Sequence, residues 1–325
     1  MNITDFLKNS RIVLFFRLLH EKWLEVLILT RYIANGNRYK DQNKLHTDLV
    51  IRTHALEKGM SIGSVRVGFG QPKALALLDD LQHYLSLGGE KSFVGESCSI
   101  INKYILFNEQ MGADMTNVKS KLHEFCETNN MNLSDMGGIY IFDKHVTDLK
   151  SKGSFDVFSQ SRFSVRDFGS ERIPLEWIEK ALALAEKTPS ACNRQSWKIH
   201  VYSDEMLRNR IFSLQDGCKG FSEDMQYAIL ICGDIRGYNI NELSQMYVDG
   251  GIYAMNLLYA LHFKGVAAIP LTMAHKQNMI KRIKREMGLP ENEMPILLVG
   301  VGSYKESYKV AVSERCDYKV YTVIK

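Results

Sequence analysis

Ser161-Arg162-Phe163-Ser164-Val165-Arg166-Asp167-Phe168, then Thr188-Pro189-Ser190-Ala191-Cys192-Asn193-Arg194-Gln195-Ser196-Trp197, are the two stretches on which the reading of this chain turns. If the first is extended, Arg162, Ser164 and Arg166 project to one side, because side chains alternate along an extended backbone. Two guanidinium forks and a hydroxyl on one face suit a phosphate. The plainer reading is a solvated strand edge whose cations are offset by Asp167. The second stretch is a proline turn leading to Asn193 and Gln195, each with an amide donor and acceptor. Such groups suit the polar edge of a flat heterocycle; the plainer reading is a polar loop with a core Trp197 heading the next strand.

The surrounding 325 residues are 45% hydrophobic and 24% charged, enough to build a packed core and too apolar for global disorder. A net charge of +4 suits an anionic cofactor but leaves no nucleic-acid footprint, since no basic stripe is interleaved with aromatics. The six cysteines (Cys98, Cys126, Cys192, Cys218, Cys232 and Cys316) form no C-x-x-C pair, so no metal site is expected. With no secretory signal, a cytoplasmic location with reduced thiols is the expectation.

Three regions follow. Residues 1–40 form an apolar, basic leader. Its runs Ile12 to Phe16 and Val26 to Leu29 are interrupted by Arg17, His20, Glu21 and Lys22, so it does not read as a spanning helix. An amphipathic helix packed on the protein itself is one reading. A peripheral membrane contact is the other, favoured by Lys8, Arg11, Arg17, Lys22 and Arg31. Residues 41–150 read as a helical extension: Thr47 to Lys58 stopped by Gly59, Pro72 to Leu87, Glu96 to Met111, and a helix capped by Thr116. Residues 151–325 alternate helices and strands: a helix from Pro174 to Lys187, strands Trp197 to Tyr202, Ala228 to Cys232 and Ile296 to Val301, and a long apolar helix, Leu243 to Phe263. Val266 to Ile269 reads as a short run broken by Pro270, and the tail from Tyr318 to Ile324 as a terminal strand.

Taken in order, R-x-S-x-R-x-F, a helix, and P-S-x-x-N-x-Q-x-W resemble the signature of the nitroreductase family of flavin enzymes over roughly residues 155–325. Asp249-Gly250-Gly251 with Asn256, Gly265 before Pro270-Leu271-Thr272, and Ser313-Glu314-Arg315 resemble later family features in the same order. The resemblance implies an α+β fold, a nitroreductase-like central sheet flanked by helices, with the helical N-terminal extension added. It implies FMN, with Arg162, Ser164, Arg166 and Arg315 on the phosphate and ribityl chain. Pro189, Ser190, Asn193 and Gln195 would reach the same flavin from the other subunit of a homodimer. Pro270, Leu271 and Thr272 would pass the reactive ring, the backbone groups of Leu271 and Thr272 lying near N5, where no ionisable side chain is needed.

The expected activity is electron transfer from NADH or NADPH to a small organic acceptor (a nitroaromatic, a quinone or an unidentified metabolite) by a ping-pong route. The alternative is a non-catalytic flavin-binding or scaffold subunit tethered to a membrane-associated complex. Ala191, Ser196 and the run Pro270-Leu271-Thr272-Met273 depart from the family pattern, and these departures bear on substrate more than on flavin. Gly68-Phe69-Gly70-Gln71-Pro72-Lys73 lacks a third glycine and a βαβ setting, and reads as a turn before a helix. His54 and Lys58 share a helix face, as a proton-handling or anion site or as a satisfied helix end.

Overall fold

The computed structural model describes residues 10–32, 38–238, 242 and 244–325. The chain divides into two compact units: one takes the residues through Leu56 together with Gly70–Met136, the other Glu57–Phe69 together with Gly137–Lys325.

The first unit is helical: α1 (Arg11–Tyr32), α2 (Gln42–Met60, whose last turn belongs to the second unit), α3 (Gln71–Ser86), α4 (Lys91–Gln110) and α5 (Thr116–Asn129). Leu77, Leu78, Leu81 and Tyr84 recur at helical spacing on α3 and are all buried, as are Val94, Cys98, Ile101, Tyr104 and Ile105 on α4. Gly70 caps α3 in the left-handed conformation with Pro72 in the first turn, the turn-then-helix expected of that glycine pair. Two local expectations are corrected. Gly59 does not stop α2; the helix runs to Met60, and the missing side chain at Gly59 makes room for the Phe69 ring, which any Cβ would overlap. Thr116 is not the cap of α5 but its first residue; Asp114 accepts from the Thr116 N–H at 3.0 Å and from its hydroxyl at 2.6 Å.

The second unit begins with β1 (Ile139–Asp143), α6 (Lys144–Lys150), α7 (Phe155–Ser161) and β2 (Phe168–Gly169). It continues through α8 (Leu175–Ala185), β3 (Trp197–Tyr202), α9 (Glu205–Ser213), β4 (Tyr227–Asp234) and α10 (Gln245–Phe263). It ends with β5 (Ala267–Thr272), α11 (Gln277–Met287), β6 (Glu293–Tyr304) and β7 (Ser307–Ala311). The main sheet is antiparallel throughout: β6 pairs with β4 and β5, β4 with β3, and β2 with the end of β6. β1 and β7 form a separate antiparallel pair that the sequence reading did not anticipate.

All of β4 is buried, so its apolar run serves both faces. Ala228, Leu230 and Cys232 join Ile211 and Phe212 of α9 and Ile283 of α11. Ile229 and Ile231 join Ile178 of α8 and Leu257 and Leu261 of α10 on the opposite face. Pro270 does not break β5, which runs through it to Thr272. The carbonyl of Ala268 accepts from the Val165 N–H at 3.1 Å, away from β6. Two residues on, proline's missing N–H faces the same outer edge, where no ladder bond is lost. The tail is no strand: Tyr318–Val320 is a single 3₁₀ turn, the Asp317 side chain accepting from the Lys319 N–H, and no strand among the described residues pairs with it.

Candidate active site

Ser161 ends α7, and Arg162 leaves it in an extended conformation. Val165 and Asp167 turn inward and are buried, while Arg162, Ser164 and Arg166 stay partly open, the alternation expected of one polar face. Val165 lies in the core, and its N–H bond to Ala268 fixes the segment along the outer edge of β5. Asp167 is held by the Lys305 ammonium and by the Lys309 N–H at 3.3 Å, so it neutralises neither arginine beside it by a hydrogen bond.

What the segment then presents is positive charge short of acceptors. Arg162 Nη1 is buried and has no hydrogen-bond partner among the described residues. Burial lowers the Arg162 pKa, and the nearby Arg315 guanidinium lowers it further. Arg315 is exposed, donating to the Ser313 carbonyl at 2.6 Å. Arg166 is pushed down to about 10, chiefly by burial, with Glu57 acting in the opposite direction. It donates to the Ser164 carbonyl at a stretched 3.5 Å. Buried cations cost free energy unless an anion meets them.

The end of α2 also contributes: Lys58 is picked out in the sequence beside His54, whereas Glu57 is missed. Glu57 is buried and accepts from the Gly138 N–H at 2.9 Å, while Glu314, next to Arg315, accepts from the Gly137 N–H at 3.4 Å. The two neighbouring glycine amides thus tie the α2 end and the Arg315 loop together. Lys58 is half-buried, its pKa lowered by burial and then by Arg166. No motif signals the Glu57 contact; the approach depends on the Ile62 carbonyl accepting from Lys309 Nζ at 2.9 Å and on Gly63, where an added Cβ would stand 2.7 Å from Asp167.

His262, in the last turn of α10, backs the arginine. It is buried, with Nε2 2.8 Å from the Ser161 hydroxyl and Nδ1 3.3 Å from the Tyr304 hydroxyl. Burial, then Arg162 and Lys152, lower its pKa to about 4. The folded protein therefore holds it neutral, while the unfolded chain protonates near 6.5. Its contribution to stability is complete above pH 6.5 and is lost as pH falls toward about 4. Between pH 7.5 and 5 this group alone should cost about 2 kcal/mol of unfolding free energy. Urea denaturation at both pH values checks it: His262→Gln should show a smaller acid loss by that amount.

The second stretch is a strained loop tied to α10. Cys192, Asn193 and Gln195 all have left-handed backbones, at φ 50, 53 and 49. Only asparagine adopts that region readily, so the loop is over-determined by its surroundings. Asp249, almost fully buried on α10, accepts from the Ala191 N–H at 3.2 Å, from Gln245 Nε2 at 2.8 Å and from the Tyr238 hydroxyl at 3.0 Å. Asn256, two turns further on, donates to the Thr188 hydroxyl at 2.7 Å. The Ser190 hydroxyl accepts from the Gln195 N–H at 2.9 Å, and Arg194 grips Glu242 through two bonds of 2.7 and 2.9 Å. Gln195 folds its amide back onto Asn193 Oδ1 at 3.1 Å. Pro189 opens this loop, and Cys192 stands exposed on it.

On β5, Ala268 shows its backbone to the outer edge, so alternation turns Pro270 and Thr272 outward and Leu271 toward β6. The Thr272 carbonyl already accepts from Gln215 Nε2 at 3.1 Å.

The structure brings Arg162, Ser164, Arg166 and Arg315 to one neighbourhood beside β5. No hydrogen bond among the described residues joins Pro189, Ser190, Asn193 or Gln195 to them. Arg162 shares a small cavity with His262 and Leu258 of α10, whereas the loop is tied to that helix at Asn256 and Asp249. Along the axis, Leu258 lies about 14 Å from Asp249 and about 3 Å from Asn256. Elsewhere, His200, Cys232 and Glu293 bring nitrogen, sulfur and oxygen ligand atoms within 4.8 Å of one another. His200 and Glu293 already bond each other at 2.6 Å, and burial raises the Cys232 thiol to about 12.

A family model described as the nitroreductase family matches residues 160–215. A Haliscomenobacter hydrossis protein named iodotyrosine deiodinase is 28% identical over 207 residues, 54% of this chain and 90% of its own length. A Methanothermobacter thermautotrophicus protein, provisionally named NADH dehydrogenase/NAD(P)H nitroreductase, is 24% identical over 49% of this chain and 81% of its own. The solved structure of an FMN-dependent nitroreductase from Clostridium difficile aligns with a TM-score of 0.42 at 21% identity, covering 49% of this chain and 92% of that one.

Proposed function

This chain belongs, through its C-terminal half, to the nitroreductase family, and on that premise we propose that it is an FMN-dependent oxidoreductase. The observation that carries the reading is the buried Arg162 Nη1, which has no hydrogen-bond partner among the described residues and belongs to a guanidinium that feels the charge of Arg315. A dianionic phosphate supplies the missing acceptor oxygens. Arg162, Ser164 and Arg315 would hold that phosphate, with Arg166 on the same face. The flavin, when bound, supplies two-electron redox chemistry. The chain's own task is to bind it, turn it and keep its polar edge hydrogen-bonded. Thr272 is the residue of β5 whose backbone N–H faces the open edge, where it can meet developing charge without titrating.

The electron donor is NADH or NADPH, a choice supported by the names of relatives, and the acceptor is a small organic molecule. The iodotyrosine deiodinase relative adds halogenated phenols to the acceptors worth assaying beside nitroaromatics and quinones. The purified protein should carry a yellow chromophore that leaves on denaturation, and NADH or NADPH should bleach it without oxygen. A colourless protein unable to take up added FMN would refute the binding reading; bound flavin that neither nucleotide bleaches would refute the reductase reading alone.

The separation of the two motif stretches along α10 supports a homodimer in which one flavin draws on both subunits. Mixing tests this. Dimers of Arg162→Ala, and dimers of Ser190→Ala with Asn193→Ala, should each retain flavin poorly. Reassorted mixed dimers contain one site built wholly from unaltered stretches, so about a quarter of all sites should recover. No recovery after verified exchange of subunits would place both stretches in one subunit's site.

A further inference from the structure

Outside the catalytic half, α1 carries a feature that the flavin reading does not use. Ile12, Phe15, Phe16, Leu19, Trp23 and Val26 follow one another at spacings of one, three or four residues, which stacks them on a single face. They are 70, 59, 61, 54, 59 and 44% exposed, so nothing among the described residues covers that face. Arg11 and Lys22 flank it and Arg17 lies on the opposite side, all three exposed. No described helix is long and apolar enough to cross a membrane.

We propose that α1 docks this protein on the surface of an anionic lipid bilayer, lying in the interface with the Phe15–Trp23 face in the acyl boundary and its cations toward the headgroups. The charge distribution selects this occupant. Residues 1–40 carry seven cationic and three acidic side chains, a net of +4, and the whole chain's net charge is also +4. The remaining residues therefore sum to zero, and the chain's excess positive charge is concentrated in the segment that also carries the exposed aromatic face. A large apolar face of Trp, Phe and Leu with a basic polar face is the composition of an interfacial helix. A second copy is the poorer occupant: two helices meeting on this face would bring like-charged flanks together, where paired helices in water favour opposite charges.

The test uses the full chain and vesicle sedimentation. Vesicles about a quarter phosphatidylglycerol in phosphatidylcholine should pull the protein down at low salt. Pure phosphatidylcholine should do so at least about tenfold less well, as should about 0.5 M salt with the anionic vesicles. Two variants of exposed residues separate the components: Leu19→Glu with Trp23→Glu removes the apolar face, and Arg11→Gln, Arg17→Gln and Lys22→Gln together remove cations. Each should weaken partitioning at least about tenfold with unchanged far-ultraviolet circular dichroism. The proposal is overturned if the parent protein ignores anionic vesicles at low salt, or if either variant binds as well as the parent. It is also overturned if the apolar variant changes only the oligomeric mass, which would give the face to a second copy. None of these readouts involves flavin, so the proposal stands or fails apart from the redox reading.

Discussion

Arg162→Ala should weaken FMN binding about tenfold to a hundredfold, because a charge-assisted hydrogen bond contributes about 1.5–3 kcal/mol. Quenching of flavin fluorescence on titration reads this directly. The same substitution should leave the flavin-free protein as stable as the parent, or more so. In the free state the guanidinium is a buried cation with an unmet donor, crowded by Arg315, and removing it relieves that cost. Thermal unfolding with and without FMN therefore gives opposite signs: a smaller flavin-induced rise in Tm, from a baseline that is not lowered. Equal destabilisation in both states would make Arg162 a structural residue and remove the phosphate assignment. Arg315→Ala should weaken binding in the same direction; the exposed arginine forfeits less.

Asp249→Ala should destabilise the protein by about 3 kcal/mol and weaken flavin binding with it. One buried carboxylate there accepts from the Ala191 amide, Gln245 and Tyr238, and its loss strands all three donors. The Ala191 bond also holds one end of a loop with three left-handed non-glycine residues. Without that tie the loop relaxes toward ordinary backbone geometry, and Ser190 and Asn193 lose their placement. Urea denaturation measures the first effect and flavin titration the second. Asp249→Asn should also be damaging, since its amide NH₂ turns a donor toward a donor. A stable Asp249→Ala protein with normal flavin affinity would show that the loop needs no support from α10.

Much of the catalytic half was legible because its signals are local. The two arginines and serine at alternate positions, the proline turn, and the apolar run from Ala228 to Cys232 are patterns in consecutive residues. The strands β3 and β4 and the long helix α10 lie where expected, with boundaries that agree to within two residues. Errors came where the deciding partner is distant. Gly59 looks like a helix stop until Phe69 is seen against it. Pro270 looks like a strand break until the Val165 amide marks that edge of β5 as the outer one. The tail alternates like a strand, yet no strand among the described residues pairs with it.

The order of residues alone determined the chemistry available: cationic forks, hydroxyls and amides suited to a phosphate and a flat heterocycle, and a leader both basic and apolar. It did so because alternation and helical spacing are set by backbone geometry within a few residues. Tertiary structure decided which of those groups meet. It placed Glu57 and Lys58 beside Arg166 across more than a hundred residues of chain. It also left Arg162 Nη1 without a partner among the described residues and tied the Pro189–Gln195 loop to α10 at Asn256 and Asp249. Those outcomes depend on close approaches between elements far apart in sequence, which packing fixes and periodicity does not encode.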